Sequence, residues 1–334
     1  MRPFKPNSPE TDHTMQCMEV WGGNQAVDNG VVMPGLDAWV YAKPLAGGDA
    51  GGDIHYVSSC ATGRITRLLV ADVAGHGAPV AQTASDLRAL MKRYVNYLDQ
   101  SRLVGELNTR FSSLTESGAF ATAFAATYWA PTSFLLACNA GHPPPLWRCG
   151  ATGKWRLLNP ENARTTEHRE GLTNLPLGIT EPTVYEQFGV RLRKGDLVLV
   201  YTDAIIEAPN DEGERLGVDG LLTLVEQVRD TSPDGFITEL RALLNEGWAA
   251  EDSDDDMTMM LLRRNDLKPR MRAGDWITTI RLYAVALRSS LKGARFPWPE
   301  WRLETIGGIL FPRLNNRWGG AANADTDSAA KDRE

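Results

Sequence analysis

The spacing of apolar positions changes several times along the chain, and each change predicts an element. Apolar runs at Ala38-Trp39-Val40-Tyr41, at His55-Tyr56-Val57 and over residues 65–73 read as three strands, because short β-rich runs bounded by turn residues suit a pleated sheet. The third run ends in Gly75-His76-Gly77, a turn signal. Val80, Ala84, Leu87, Met91, Tyr94, Val95 and Leu98 then recur at helical spacing, and Leu103, Leu107, Phe111 and Leu114 repeat the pattern. Two consecutive amphipathic helices are therefore expected. Apolar runs over 120–129 and 133–139 flank Ala130-Pro131-Thr132 and predict an antiparallel hairpin, and runs over 188–192 and 196–202 flank Arg193-Lys194-Gly195 and predict another. Helices follow over 218–228 and 234–248, with Leu221, Leu222, Val225 and then Phe236, Ile237, Leu240, Leu243 and Leu244 as buried faces. A last strand is expected over 257–262.

Runs of antiparallel strands interrupted by helix pairs indicate an α+β fold, a layered sandwich of two mainly antiparallel β-sheets flanked by helix pairs, and not alternating βαβ units. This domain is expected over residues 36–264. Residues 1–35 are rich in Pro, Gly, Asn and Asp and read as an N-terminal lead-in with one strand near 16–21. Residues 265–318 form a basic C-terminal extension carrying Trp276, Trp298, Trp301 and Trp318, and 319–334 have the composition of a disordered tail. Within the extension Trp276, Ile277, Ile280, Tyr283, Ala284 and Leu287 share one helical face flanked by Arg281 and Arg288. That face suits peripheral contact with an anionic membrane, or packing back onto the domain.

The 334 residues, 43% of them hydrophobic, can bury a sizeable core. A net charge of -7 argues against nucleic acid as a partner, since phosphate-backbone binding needs a basic face. Cys17, Cys60, Cys138 and Cys149 show no C-x-x-C spacing, which fits a reducing, cytoplasmic setting. The N-terminus lacks the apolar region of a secretory signal, and no stretch reaches the roughly 20 apolar residues of a membrane span.

Chemistry concentrates on four aspartates at strand ends: Asp53 in Gly51-Gly52-Asp53, Asp72 in Ala71-Asp72-Val73-Ala74-Gly75-His76-Gly77, Asp203 in Tyr201-Thr202-Asp203, and Asp255 in Asp255-Asp256-Met257-Thr258. Converging carboxylates suit hard divalent cations, and a pair of such ions suits phosphoester hydrolysis. Asp49, in a near-repeat of the first block, stands as an alternative to Asp53, and Asp256 as an alternative to Asp255. Asp196 reads as a turn residue. His76 and His142 lie far apart without H-x-x-x-H spacing, which argues against zinc. His142 reads as ordering its own Pro-rich turn.

These blocks, with Asn139-Ala140-Gly141-His142-Pro143-Pro144, Leu175-Pro176-Leu177-Gly178 and the run from Gly195 to Asp203, resemble the metal-dependent protein serine/threonine phosphatases of the protein phosphatase 2C superfamily. The resemblance is to the bacterial branch typified by sporulation stage II protein E, and it covers about residues 36 to 264. It implies two Mn²⁺ or Mg²⁺ ions, with Asp72 bridging them, the Val73 carbonyl adding an oxygen to one, Asp53 acting directly or through metal-bound water, and Asp203 and Asp255 completing the ligand set of the second ion. It further implies in-line hydrolysis without a phosphoenzyme. The implied substrate is a phosphorylated protein, in this branch often an anti-sigma-factor antagonist in partner-switching signalling. A phosphatase-fold module that sequesters a partner without turnover is the alternative. One departure stands out: Ala204 occupies a position where the family commonly carries glycine, and alanine fits there if φ is negative.

Overall fold

The computed structural model describes residues 13–15, 19–45, 48–60, 63–75, 77–94, 99–114, 118–165, 173–248, 250 and 255–269. Its strands, in chain order, are β1 (His13–Thr14), β2 (Val20–Gly23), β3 (Val27–Met33), β4 (Leu36–Lys43), β5 (Asp53–Cys60) and β6 (Ile65–Val73). Helices α1 (Ala78–Tyr94) and α2 (Gln100–Leu114) follow, then β7 (Ala121–Trp129), β8 (Phe134–Ala140), β9 (Leu146–Arg148), β10 (Trp155–Leu157), β11 (Arg164–Thr165), β12 (Gln187–Arg191) and β13 (Leu197–Tyr201). The chain continues through α3 (Asp203–Glu207), α4 (Gly217–Gln227) and α5 (Pro233–Gly247) to β14 (Met257–Arg264).

Among the described residues the strands form two seven-stranded sheets, ordered β1-β3-β4-β14-β13-β9-β10 and β11-β12-β8-β7-β6-β5-β2. Every strand pair is antiparallel except β1 with β3. Alternation of side chains along each strand sorts residues between two faces. Val57, Leu68, Val70 and Phe124 meet Val40, Val198, Val200 and Met260 between the sheets. Ile54, Leu69, Ala71 and Ala125 face outward onto Leu87, Met91, Leu107 and Phe111 of α1 and α2. Leu197, Leu199, Met259 and Leu261 face outward onto Leu221, Val225, Ile237 and Leu240 of α4 and α5. The result is the expected layered α+β sandwich, four layers deep, with helix, sheet, sheet and helix in turn.

Two sequence expectations need correction. Residues 188–192 and 196–202 do not form a hairpin: β12 pairs with β8 in one sheet, and β13 pairs with β14 and β9 in the other. Asp196 makes the crossover. Its carboxylate, 1% exposed, accepts hydrogen bonds from the Arg193 amide at 2.8 Å, the Gly150 amide at 2.7 Å and the Trp147 indole at 3.3 Å. The expected lead-in also differs, since β1 and β3 extend one sheet and β2 edges the other, so ordered structure begins ahead of residue 36. The extension and tail expected after residue 265 lie outside the described residues apart from 265–269. Among the described residues no helix is long and apolar enough to cross a membrane.

Candidate metal centre

β5 and β6 are antiparallel and in a register that sets Asp53 opposite Asp72. Counting along the pleat, both lie on the face shared with Val57 and Val70, so both carboxylates enter the space between the sheets at one open end of the sandwich. From the other sheet, β13 ends at Tyr201 and hands the chain to α3, whose first residue is Asp203. β14 starts at Met257, just after Asp255 and Asp256. Four strand ends thus bring the sequence-predicted aspartates to a common edge.

Burial first, and then mutual repulsion, raise their proton affinities. Burial, and then the neighbouring charges of Asp203, Asp255 and Asp256, push the Asp72 carboxyl up to about 7. Burial and Asp72 raise Asp53 well above the usual carboxylate range, while Thr202 and, more loosely, Thr258 oppose the rise. Asp203 is raised by burial, then by Asp255 and Glu207. Carboxylates that disfavour their own ionised forms are those a cation would stabilise. Even so, among the described residues no three acidic, histidine or cysteine side chains are drawn into a preassembled ligand cluster.

The competing aspartates take different positions. Asp53 is 5% exposed, whereas Asp49 sits in an exposed bend. Asp256 is buried and spends its carboxylate on backbone amides, accepting from Leu45 at 2.6 Å and from Gly52 at 2.5 Å. Asp255 is exposed, and its Oδ1 accepts the Asp256 amide at 2.8 Å.

The loop carrying Gly51 and Gly52 is built by close approach. A Cβ on Gly52 would lie 2.8 Å from both the Val73 carbonyl oxygen and a methyl of Val80, so only glycine lets this loop sit against the strand end that bears Asp72. Beyond Val73, Gly75 and Gly77 adopt φ of +105° and +92°, which turns the chain sharply into α1. Ala204 lies within α3 and is not among the positive-φ residues, so alanine is accommodated where glycine is common. His76 lies outside the described residues.

Three supporting residues escaped the sequence reading. Asn24, between β2 and β3, donates to the Gly51 carbonyl at 2.9 Å and the Ala81 carbonyl at 3.0 Å, and its own carbonyl accepts the Gly51 amide at 2.8 Å. It fastens the glycine loop to α1 from the expected lead-in. Thr122 stands opposite Asp72 on β7 and shares a 2.9 Å hydrogen bond with His142 Nδ1. Burial holds the His142 imidazole down to about 3, so it is neutral. The turn at His142 is held by Asn139, whose side chain bonds the His142 amide at 2.8 Å and carbonyl at 2.9 Å. Thr202, inside a recognised block, donates its hydroxyl proton to Asp53 Oδ2 at 2.8 Å. The block drew attention to Asp203, and the threonine beside it went unremarked.

Residues 62–265 match the family model for stage II sporulation protein E (SpoIIE). The phosphoserine phosphatase RsbU of Bacillus subtilis (strain 168) is 25% identical over 200 residues, 59% of this chain and 55% of that protein. The chain thus spans about half the length of this curated relative. Among solved structures, the RsbU and RsbW domains of a Mycobacterium tuberculosis protein superpose with a TM-score of 0.57 at 24% identity, over 78% of this chain and 71% of that one. The SiaA-PP2C domain of Pseudomonas aeruginosa does so with a TM-score of 0.56 at 19% identity, over 68% and 85%. These two show the shared fold.

Proposed function

The chain belongs to the stage II sporulation protein E family, within the protein phosphatase 2C superfamily, and on that premise we propose that it is a divalent-metal-dependent phosphatase of protein phosphoserine and phosphothreonine. The observation that carries the reading is the pairing of Asp53 with Asp72 across β5 and β6, at the edge where the other sheet delivers Asp203 and Asp255.

The residues present fit Mn²⁺ or Mg²⁺. Asp53 Oδ1 is buried without a hydrogen-bond partner, the glycine loop leaves room against the Val73 carbonyl, and every donor is a hard oxygen. Asp53, Asp72, Asp203, Asp255 and the Val73 carbonyl would hold two ions. When bound, such ions supply charge for the phosphoryl oxygens and lower the pKa of water. The chain's own work is to hold these oxygens in place. Asp256 fixes the loop before Asp53, Asn24 fixes its other side, and Thr122 and His142 pack beside Asp72.

The substrate in this reading is a phosphorylated protein, with a small anti-sigma-factor antagonist in partner-switching signalling as the class that the sequence resemblance implies. A cytoplasmic setting belongs to the same reading, supported by the free thiols of Cys138 and Cys149. In the same reading the basic, Trp-rich sequence after residue 265 is assigned to peripheral contact with an anionic membrane surface. The test is phosphate release from a phosphoserine peptide with Mn²⁺. Wild type is expected to turn over and Asp72→Asn to lose at least about 100-fold, the scale on which removing a charge-stabilising group acts. Mn²⁺ binding without phosphate release from peptides or from p-nitrophenyl phosphate would point instead to a partner-sequestering module.

A further inference from the structure

We propose that Thr202 is the positioning residue that decides which oxygen of Asp53 faces the cation site, an inference that rests on the metal-dependent reading above. Thr202 is fully buried directly after β13, in step with Val198 and Val200, and its hydroxyl reaches across the gap between the sheets to Asp53. A hydroxyl has one proton to give and two lone pairs to offer. Here the proton goes to Asp53 Oδ2 at 2.8 Å, the other acceptor within reach being the Thr258 carbonyl at 3.4 Å. A lone pair accepts the Thr258 amide at 2.9 Å, and the Thr202 amide donates back to the Thr258 carbonyl at 3.0 Å. The hydroxyl is therefore aimed by the β14 backbone, and β-branching stiffens the rotamer that carries it.

The consequence falls on Asp53. Its Oδ2 is fastened to the opposite sheet, while its Oδ1 stays buried and without a hydrogen-bond partner. A carboxylate free to rotate would offer either oxygen; this one offers Oδ1. Thr202 also adjoins Asp203, so a single step of backbone sets one proposed ligand and orients another from the facing sheet. Neither the family match nor the blocks of sequence assign this role to the threonine. Partners that orient metal-binding side chains typically cost 10–100-fold in affinity when removed.

The experiment is calorimetric titration of the full chain with Mn²⁺ alone, comparing wild type, Thr202→Val and Thr202→Ser, with metal-free melting temperatures measured in parallel. Valine keeps the shape and loses the hydroxyl; serine keeps the hydroxyl. The expected result is a Mn²⁺ affinity about tenfold weaker or worse in the valine variant, and within about twofold of wild type in the serine variant. Wild-type affinity in Thr202→Val, with only the metal-free melting temperature lowered, would reduce Thr202 to a structural contact and overturn the inference. So would a serine variant that folds yet binds as weakly as expected for valine, and this arm decides the matter if the valine variant does not fold. Wild type failing to bind Mn²⁺ would overturn the metal-centre reading itself, a distinguishable failure.

Discussion

Asp72 is buried beside the charges of Asp203, Asp255 and Asp256, and that setting makes a pH prediction. Its folded-state pKa, about 7, is raised above the ordinary carboxylate value, so the folded metal-free protein binds this proton more tightly than the unfolded chain does. Stability is therefore lost as pH rises from about 4 through about 7. Asparagine copies the neutral form, so metal-free Asp72→Asn should melt higher than wild type at pH 8, with the gap narrowing as pH falls and closing near pH 4; thermal melts from pH 8 to pH 4 check it. Asp255 and Asp256 separate on different grounds. Asp256→Ala leaves the buried Gly52 amide and the half-buried Leu45 amide without their acceptor, and should cost about 1–3 kcal/mol for the Gly52 amide and less for the Leu45 amide, read by chemical denaturation. Asp255→Asn is exposed and should leave metal-free stability within about 0.5 kcal/mol while weakening Mn²⁺ binding.

At the scale of elements, β6 was legible to the residue because its apolar run is long and ends in a glycine turn. The crossover between β12 and β13 was not. Two apolar strands around a short Gly-containing turn look alike whether they pair with each other or turn into facing sheets, since both arrangements bury the same side chains. The partners each strand takes, β8 for β12 and β14 with β9 for β13, and the three hydrogen bonds converging on Asp196 reveal the difference. β3 was obscured by Asp28, Asn29 and Gly30, which break its apolar run, and β2, at the edge of its sheet, was anticipated only as a strand near 16–21 where it spans Val20–Gly23. Asn24, in the turn between them, matters through three hydrogen bonds to residues far along the chain, a contact no local pattern encodes. Asn24→Ala should accordingly lower Mn²⁺ affinity by loosening the Gly51 loop, with a loss of about 1–3 kcal/mol in stability by denaturation. On the outer face of the same sheet, Arg67 is 2% exposed, hydrogen-bonded to the Thr127 hydroxyl at 2.6 Å, and pushed down to about 10 by burial. A guanidinium desolvated this far is expensive, so Arg67→Met should leave stability unchanged or raise it, measured by the denaturation midpoint.

For the whole molecule, the sandwich serves the site by setting two sheets face to face and leaving one end open. One sheet supplies Asp53 and Asp72 in register; the other supplies Asp203 and Asp255, and Thr202 and Asp256 tie the two together across the gap. The acidic blocks were readable because short signatures carried each aspartate, whereas their tethers were hidden because they depend on which strand ends meet. The most direct measurement is a crystal structure grown with Mn²⁺, with anomalous scattering used to locate the ions. The account predicts two ions sharing Asp72, with Asp53 Oδ1, the Val73 carbonyl, Asp203 and Asp255 around them. Ordered ions held by Asp49 or Asp256 instead, or none at this edge at saturating Mn²⁺, would contradict it.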